Sequence, residues 1–170
     1  MQSRIFLVGF MGSGKTTFGK KVASKLGYTF VDLDALIVET TWSTIPTLFA
    51  ERGEAGFREE EQAALHSVLE RENIVVATGG GTPCFFDNME RINQSGTSVY
   101  LQLSAAALAA RLATAKTPRP LIAGLSGDEL TEFVASKLAE RESFYTQATH
   151  TFPAHRERIP ELVKLLQEEN

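Results

Sequence analysis

The chain has 170 residues, 43% of them hydrophobic and 22% charged, which is enough apolar sequence for the core of one compact domain. Its net charge of −4, with acidic residues spread along the sequence, argues against a nucleic-acid-binding protein, because such proteins more often carry a basic face. The longest apolar runs are too short to span a bilayer, and a single cysteine, Cys84, excludes an internal disulfide.

Short apolar runs alternate along the sequence with segments that have helical spacing. The first run begins at Arg4 and ends at Gly9, and a glycine-rich loop and a helix that stops at Gly27 follow it. Pro46 suits the first turn of a short helix, and Gly53 predicts where that helix stops. The helix that stops at Gly27 spans 15–26, and the further predicted helices are 34–38, 57–72, 85–94, 105–113, 128–145 and 159–169. The predicted strands are 4–8, 28–31, 74–77, 97–103 and 149–152.

This alternation predicts a three-layer α/β/α fold with a parallel sheet and right-handed crossovers. No linker divides the sequence, so we expect one domain over residues 1–170. Residues 1–4 lead directly into the first apolar run, which predicts no signal peptide and, with the lone cysteine, a cytoplasmic protein. Ligands of such sheets bind beyond the carboxyl ends of the strands, where the glycine loops and Asp32 and Asp34 are expected to gather.

Residues 9–16, GFMGSGKT, match the phosphate-binding loop pattern G-x-x-x-x-G-K-[ST]. The glycines allow a tight turn that points backbone N–H groups at phosphate oxygens, and the helix that starts near Lys15 adds the positive end of its dipole. Lys15 is expected to reach the β- and γ-phosphates of ATP, and the Thr16 hydroxyl is expected to bind Mg²⁺. The alternative is a flexible glycine turn with an incidental lysine. The pattern favours a phosphoryl-transfer enzyme.

Asp32 and Asp34 follow the second predicted strand. Their two-residue spacing sends both side chains the same way if the backbone stays extended. One carboxylate near Mg²⁺ and one near an acceptor hydroxyl would suit phosphoryl transfer. The alternative for Asp34 is a helix N-cap, since it precedes an apolar helical stretch.

Arg58 and Glu61 are i, i+3 neighbours on an acidic helix. Taken alone, such a pair is most often a solvated surface ion pair, and an acceptor-binding arginine is the alternative. Gly79, Gly80 and Gly81 come directly after the third strand. Three glycines cost backbone entropy on folding, which indicates that another group approaches the backbone closely here. The alternative is an ordinary loop.

Residues 114–127 contain two prolines and two glycines, with Lys116 and Arg119 among them. This composition predicts a mobile lid that brings positive charge to the transferring phosphoryl group. A plain surface loop is the alternative.

Together these motifs resemble the shikimate kinase family, and the resemblance runs in order along nearly the whole chain. The matching motifs are residues 9–17, Asp32-Leu33-Asp34, Gly53-Glu54 with Phe57-Arg58-x-x-Glu61, Gly79-Gly80-Gly81, Arg119-Pro120-Leu121, and Arg141 ahead of Tyr145. The resemblance implies a P-loop kinase fold with a five-stranded parallel sheet in the order 2-3-1-4-5. It also implies phosphorylation of the 3-hydroxyl of shikimate by ATP, on the route to chorismate and the aromatic amino acids.

On the acceptor side, the resemblance assigns residues by matching position. Asp34 would hold the reacting hydroxyl and act as its base. Arg58 and Arg141 would bind the substrate carboxylate, and the backbone of residues 79–81 would line the same pocket. The acceptor-binding segment would be approximately 33–62.

On the nucleotide side, the resemblance implies that Arg119 stabilises the transferring group, that Asp32 binds Mg²⁺ through water, and that Arg111 lies against the adenine. The expected ligands are ATP and shikimate, with Mg²⁺ as the metal, no nucleic acid or membrane, and a monomeric enzyme. The predicted nucleotide-binding residues are Gly12, Ser13, Gly14, Lys15, Thr16, Thr17, Arg111 and Arg119.

The chain departs from the family pattern at Trp42, where the family usually has glycine, and at Val38, where it often has glutamate. We expect Trp42 to pack into the core; if it faced the pocket, it would alter substrate fit. The competing interpretations are a gluconate or nucleoside monophosphate kinase, and a P-loop binding module without catalysis. The combination of Asp32, Asp34 and the three glycines favours shikimate, and the presence of Lys15, Asp34 and Arg119 disfavours the binding module.

Overall fold

A computed structural model describes residues 4–116 and 119–169 of the chain. Five parallel strands form one sheet in the order β2-β3-β1-β4-β5, and the helices connect them. The strands are β1 Arg4–Val8, β2 Thr29–Asp32, β3 Ile74–Ala77, β4 Thr97–Gln102 and β5 His150–Pro153. The helices are α1 Lys15–Leu26, α2 Leu33–Thr41, α3 Ile45–Val68, α4 Asn88–Ser95, α5 Ala105–Ala113, α6 Gly127–Tyr145 and α7 Ile159–Glu168. The predicted fold class and strand order are confirmed.

The central strand β1 is buried and pairs with β3 on one side and β4 on the other. Apolar residues cover both faces of β1, β3 and β4, as expected for parallel strands with helices on both sides of the sheet. In the register, Leu7 lies opposite Ala77, and Asp32 lies opposite Ala77 on the other side of β3. The loops after β1, β2 and β3 therefore emerge together at one edge of the sheet.

Several predicted helix boundaries were wrong, and three of the differences have a local reason. Asp32 caps α2, so the helix starts one residue earlier than predicted. The predicted stop at Gly53 is a kink with φ 67° and ψ −175°, after which α3 resumes at once and ends at Val68. A short 3₁₀ turn over Thr82–Cys84 delays the start of α4, and Phe86 adopts a φ of 51° before it.

The expectation that Trp42 packs into the core was also wrong. Its side chain is 94% exposed, and the residue ends α2 in the left-handed conformation with φ 53°. Glycine is the residue that adopts this conformation at least cost, which accounts physically for the glycine that the family usually carries here. Val38 is also exposed, so both departures lie on the outer surface of α2.

Candidate active site

The phosphate-binding loop joins the end of β1 to the start of α1. Gly12 and Gly14 have φ values of 81° and 99°, a region that side-chain-bearing residues rarely adopt. Gly14 is the N-cap of α1 and has no side chain to occupy the first amides of the helix. Those N–H groups and the helix dipole remain available to an anion, which is the arrangement that the sequence pattern predicted.

Lys15 is buried at the first position of α1. Its Nζ donates hydrogen bonds to the carbonyls of Gly9 and Phe10, at 2.7 and 2.9 Å. The pKa of Lys15 is lowered to about 8, chiefly by burial; Asp34 and Asp32 oppose the shift, and the charges of Arg119 and Arg141 contribute to it. The ammonium group thus lies at the floor of a cavity, hydrogen-bonded to loop carbonyls, where a nearby anion would stabilise its charged form.

The carboxylate of Asp32 makes contacts through both oxygens. Its Oδ1 accepts the N–H groups of Asp34 and Ala35, at 3.1 and 3.3 Å, which caps α2. Its Oδ2 accepts the hydroxyl of Thr16 at 2.9 Å. The cap that the sequence allowed for Asp34 therefore belongs to Asp32, and the Asp34 side chain is left to line the site.

These oxygens suit a magnesium ion that is held mainly by phosphates. The hydroxyl of Thr16 and the carboxylate of Asp32 are hard oxygen ligands at the mouth of the phosphate-binding loop. Within residues 4–116 and 119–169, no group of three or more His, Cys, Asp or Glu residues is placed to hold a metal. A Mg²⁺ ion that keeps waters and uses one or two protein oxygens needs no such group, so the residues fit it.

Asp34 lies between the two cavities of the site. Its side chain opens into both, yet the surrounding protein displaces enough water to raise its pKa, and Asp32 and Glu61 raise that pKa further. Lys15 and Arg119 act in the opposite direction. A carboxylate with a raised pKa is a better proton acceptor than one in open water.

The first cavity, of about 270 Å³, lies over the phosphate-binding loop. The second, of about 470 Å³, adjoins it and reaches towards α3 and α6. Five residues line both cavities: Met11, Asp34, Gly79, Gly80 and Arg119. A group bound in one cavity therefore lies beside a group bound in the other.

Two arginines lie in the second cavity, both largely buried. Arg58 donates from Nη1 to Glu61 Oε1 at 2.7 Å, and the exposed fractions of these residues are 7% and 1%. The interpretation of Arg58 and Glu61 as a solvated surface ion pair, which is usual for such spacing, is therefore wrong. Arg141 comes from α6 and has its Cζ 5.6 Å from the centroid of the Phe10 ring. Two guanidinium groups in one pocket are suited to a carboxylate.

The three glycines after β3 allow the close approach that their sequence indicated. A Cβ atom at Gly81 would lie 2.6 Å from Nη2 of Arg58, and one at Gly79 would lie 2.8 Å from Oε2 of Glu61. The hydroxyl of Tyr145 donates a hydrogen bond to the Gly80 carbonyl and fixes the loop from α6. Side chains at these positions would displace the groups that shape the second cavity.

Arg119 is the part of the predicted lid that reaches the site. It lines both cavities, and its charge acts on Lys15 and Asp34. Leu121 lines the second cavity. Residues 117 and 118 of the predicted lid, like residues 1–3, lie outside the described residues.

Arg111 and Ser13 have positions that differ from those of the cavity-lining residues. The guanidinium group of Arg111 donates to the carbonyls of Gly12 and Ser13, at 3.3 and 3.1 Å, and to that of Ala154 at 3.0 Å. It supports the phosphate-binding loop from behind, and neither it nor Ser13 is among the residues that line the two cavities. Thr17 does line the first cavity.

Sequence reasoning missed the apolar side of the second cavity. Phe57 and Leu121 stand in motifs but had no role assigned, and the other members, Ile45, Pro46 and Phe49, belong to no motif. They come together only through the packing of α3 and the segment after α5. Cys84 lies near Arg58 and Arg141, and burial raises the pKa of its thiol to about 11, so it is a poor nucleophile at neutral pH.

The fold and the site define a P-loop kinase in which a second cavity, lined by two largely buried arginines, adjoins the phosphate-binding loop. The family model described as Shikimate kinase matches residues 11–169. A shikimate kinase from Bacteroides thetaiotaomicron is 50% identical over 97% of each chain, and one from Parabacteroides distasonis is 51% identical over 90% of this chain and 88% of that protein. The chain belongs to the shikimate kinase family.

Solved structures agree with this assignment. The crystal structure of the shikimate kinase from Bacteroides thetaiotaomicron superposes with a TM-score of 0.90 and covers 97% of this chain and 96% of that one. The Acinetobacter baumannii shikimate kinase in complex with shikimate gives a TM-score of 0.88 at 32% identity, over 100% of this chain and 96% of that one. A gluconokinase from Sinorhizobium meliloti, at 16% identity and a TM-score of 0.57, shares the fold alone.

Proposed function

We propose that this enzyme transfers the terminal phosphoryl group of ATP to the 3-hydroxyl of shikimate, giving shikimate 3-phosphate and ADP. Phosphorylation of shikimate by ATP is the reaction of the family to which the chain belongs. One observation carries the assignment of sites: the cavity over the phosphate-binding loop adjoins a cavity that holds two arginines, and Asp34 and Arg119 line both. The triphosphate would occupy the first cavity and shikimate the second.

In this proposal Arg58 and Arg141 bind the carboxylate of shikimate. Both side chains are largely buried, so an ion pair with them is screened less by water than one at the surface. The backbone of residues 79–81 completes the pocket, as the close approach of Arg58 and Glu61 to these glycines supports. The hydroxyl groups of the ring would then lie towards Asp34 and the phosphate-binding loop.

The oxygen of the reacting hydroxyl bonds to the γ-phosphorus of ATP while the bond between that phosphorus and the β–γ bridging oxygen breaks. Asp34 accepts the proton of the hydroxyl in this step. Its raised pKa supports this part, because a base with a pKa nearer the working pH takes the proton more readily. Lys15 and Arg119 stabilise the negative charge of the phosphoryl group, with the amides of Gly12, Ser13 and Gly14. Lys15 would turn from the carbonyls of Gly9 and Phe10 to the phosphates, which would stabilise its charged form.

Thr16 and Asp32 would hold Mg²⁺, and Thr17 would lie by the phosphates. When bound, Mg²⁺ neutralises charge on the β- and γ-phosphate oxygens. Because Oδ1 of Asp32 also caps α2, metal binding and the start of the helix that carries Asp34 are linked through one carboxylate. Arg111 would contact the adenine from its position between the loop and Ala154.

The domain, its ligands and its location follow the same proposal. We take residues 1–170 as one domain, with a lid at approximately 114–127 that closes over both ligands and an acceptor segment at approximately 33–62. We propose a cytoplasmic monomer that acts on small molecules and on neither nucleic acid nor membranes. Among the described residues, no helix has both the length and the apolar character required to cross a bilayer.

A coupled assay of ADP release tests the proposal. The purified chain is given ATP and Mg²⁺ with shikimate, gluconate or nucleoside monophosphates as acceptors. We expect turnover with shikimate alone, a requirement for Mg²⁺ that EDTA reveals, and a product whose phosphorus couples to the proton on C3 in NMR spectra. Turnover with gluconate at a comparable kcat/KM would contradict the assignment, and no turnover with any acceptor would favour a binding module.

A further inference from the structure

The acceptor-side residue Arg58 is held in place by the segment that follows the three glycines. The guanidinium group donates to Oε1 of Glu61, which is almost fully buried. A buried carboxylate has four lone-pair sites, and each oxygen left without a donor is costly. The position of Arg58 therefore depends on what holds the second oxygen of Glu61.

Thr82 supplies that contact. Its hydroxyl donates to Oε2 of Glu61 at 2.7 Å, and the residue has no exposed surface. Thr82 is fixed in turn by its own backbone: its N–H donates to the Gly79 carbonyl at 3.3 Å, and its carbonyl accepts Nδ2 of Asn88 at 2.9 Å. Glu61 is thus fixed from both sides, by Arg58 at one oxygen and by Thr82 at the other.

Phe85 makes the second contact. The Cζ atom of Arg58 lies 4.0 Å from the centroid of the Phe85 ring and 5.2 Å from that of Phe57. A guanidinium group at this distance over a ring face is attracted by the π electrons, and the attraction is stronger when water is excluded. Gly81 lies against the same guanidinium group and leaves it no room to move that way.

We propose that Thr82 and Phe85 are positioning residues that hold Arg58 in the orientation that receives the carboxylate of the acceptor. The inference rests on the proposed role of Arg58. Neither residue is among those that line the two cavities, so any effect on the acceptor reaches it through Glu61 and Arg58. Ligand binding then meets a guanidinium group whose freedom is already lost, which favours affinity.

Thr82→Val tests the hydroxyl, because valine keeps the shape and removes the donor. We expect the KM for shikimate to rise about tenfold, which corresponds to ~1.4 kcal/mol. The kcat and the KM for ATP should stay within about twofold, and Thr82→Ser should restore the KM for shikimate because serine keeps the hydroxyl. A KM for shikimate within about twofold of the parent value in Thr82→Val would overturn the role of Thr82.

Phe85→Leu tests the ring, with Phe85→Tyr as the conservative variant that keeps the aromatic face. We expect about a threefold to tenfold rise in the KM for shikimate with leucine and little change with tyrosine. Equal effects of both substitutions would overturn the role of the ring. Ser98→Ala is the matched control for loss of a buried hydroxyl: it removes contacts to Asn93 and Thr149 at the opposite edge of the sheet and should lower stability without changing this KM.

Arg58→Gln separates this inference from the proposed function. If Arg58→Gln leaves the KM for shikimate unchanged, the assignment of the acceptor pocket fails. If Arg58→Gln raises it and Thr82→Val does not, only the present inference fails. In the double variant the Thr82→Val effect should be small, because it acts through Arg58, and full additivity would overturn the inference. If Thr82→Val does not fold, the inference is tested by comparing Phe85→Leu with Phe85→Tyr and by combining Phe85→Leu with Arg58→Gln.

Discussion

Lys15 is a cation that the protein keeps almost entirely out of water. Its two carbonyl partners are dipoles, which compensate for lost hydration less well than the phosphates of a nucleotide would. The pKa of this group is therefore lowered to about 8, chiefly by burial. The charged form is present below this pKa and is lost as the pH rises through it.

We therefore expect kcat/KM for ATP, which reports on the free enzyme, to fall as the pH rises above about 8. At saturating ATP the decline of kcat should move to higher pH, because the phosphates stabilise the charged form of Lys15. Initial rates between pH 6.5 and 10, with the coupling enzymes in excess at each pH, measure both profiles. A kcat/KM for ATP that stays level to pH 10 would show that Lys15 keeps its charge in the free enzyme.

Gly81 tests how little room the acceptor pocket leaves. A Cβ atom there would lie 2.6 to 2.9 Å from three atoms of the Arg58 guanidinium group. Because Glu61 and Phe85 hold that group, Gly81→Ala should raise the KM for shikimate about tenfold or more and leave the KM for ATP nearly unchanged.

The matched control for Gly81→Ala is Gly19→Ala on α1. There the added Cβ atom would lie 2.4 Å from the Phe30 ring, away from both cavities. Gly19→Ala should lower the melting temperature without a selective rise in the KM for shikimate. If the two variants shift the KM for shikimate equally, the effect of Gly81→Ala is general destabilisation.

At the scale of the elements, helix ends position much of the site. The start of α1 carries Lys15 and Thr16, and the start of α2 carries Asp34 in its first turn, with Asp32 as its cap. Both helices begin directly after β1 and β2, so the sheet sets the distance between these groups. The far end of α2 has no such role, and its C-cap residue Trp42 is exposed and in a conformation that suits glycine.

Trp42→Gly should therefore stabilise the protein. A residue with a side chain loses roughly 1–2 kcal/mol in the left-handed region, and the exposed indole contributes little packing in return. We expect a rise in Tm of about 2–8 °C, measured by circular dichroism or scanning calorimetry, with no change in the KM for shikimate. Trp42→Ala removes the same ring but keeps the strain, so it should give no such gain. An equal gain with alanine would assign the effect to removal of the ring.

The parts of the site that local chemistry determines were predictable from sequence. The glycine pattern of residues 9–16 and the apolar run of β1 identified the phosphate-binding loop, and the alternating elements identified the parallel sheet. Burial of Arg58 and Glu61 was not predictable from their spacing alone, because it depends on the packing of α3 against the loop after β3. The contacts of Thr82 and Phe85 were missed for the same reason: they join residues more than twenty positions apart in the chain.

At the scale of the whole molecule, one residue between α5 and α6, Arg119, contacts both cavities. Arg119 lines both, at the point where the phosphoryl group would pass from one ligand to the other. An interaction made only there contributes more to the transition state than to the binding of either substrate.

Arg119→Ala should therefore lower kcat by about 100-fold or more while both KM values change by only a few fold. Steady-state kinetics with each substrate varied in turn measure the effect. Lys164→Ala, which removes an exposed cation on α7, is the matched control for the loss of one positive charge and should behave as the parent. A rise in the KM for ATP with kcat retained would make Arg119 a nucleotide-binding group alone.

The common border of the two cavities also has a consequence for inhibition. The two cavities share five lining residues: Met11, Asp34, Gly79, Gly80 and Arg119. One molecule in which a carboxylate-bearing ring is tethered to a short polyphosphate could occupy the two spaces at once. Its second half would then bind at the high effective concentration that a short tether provides, without any contact that the separate halves lack.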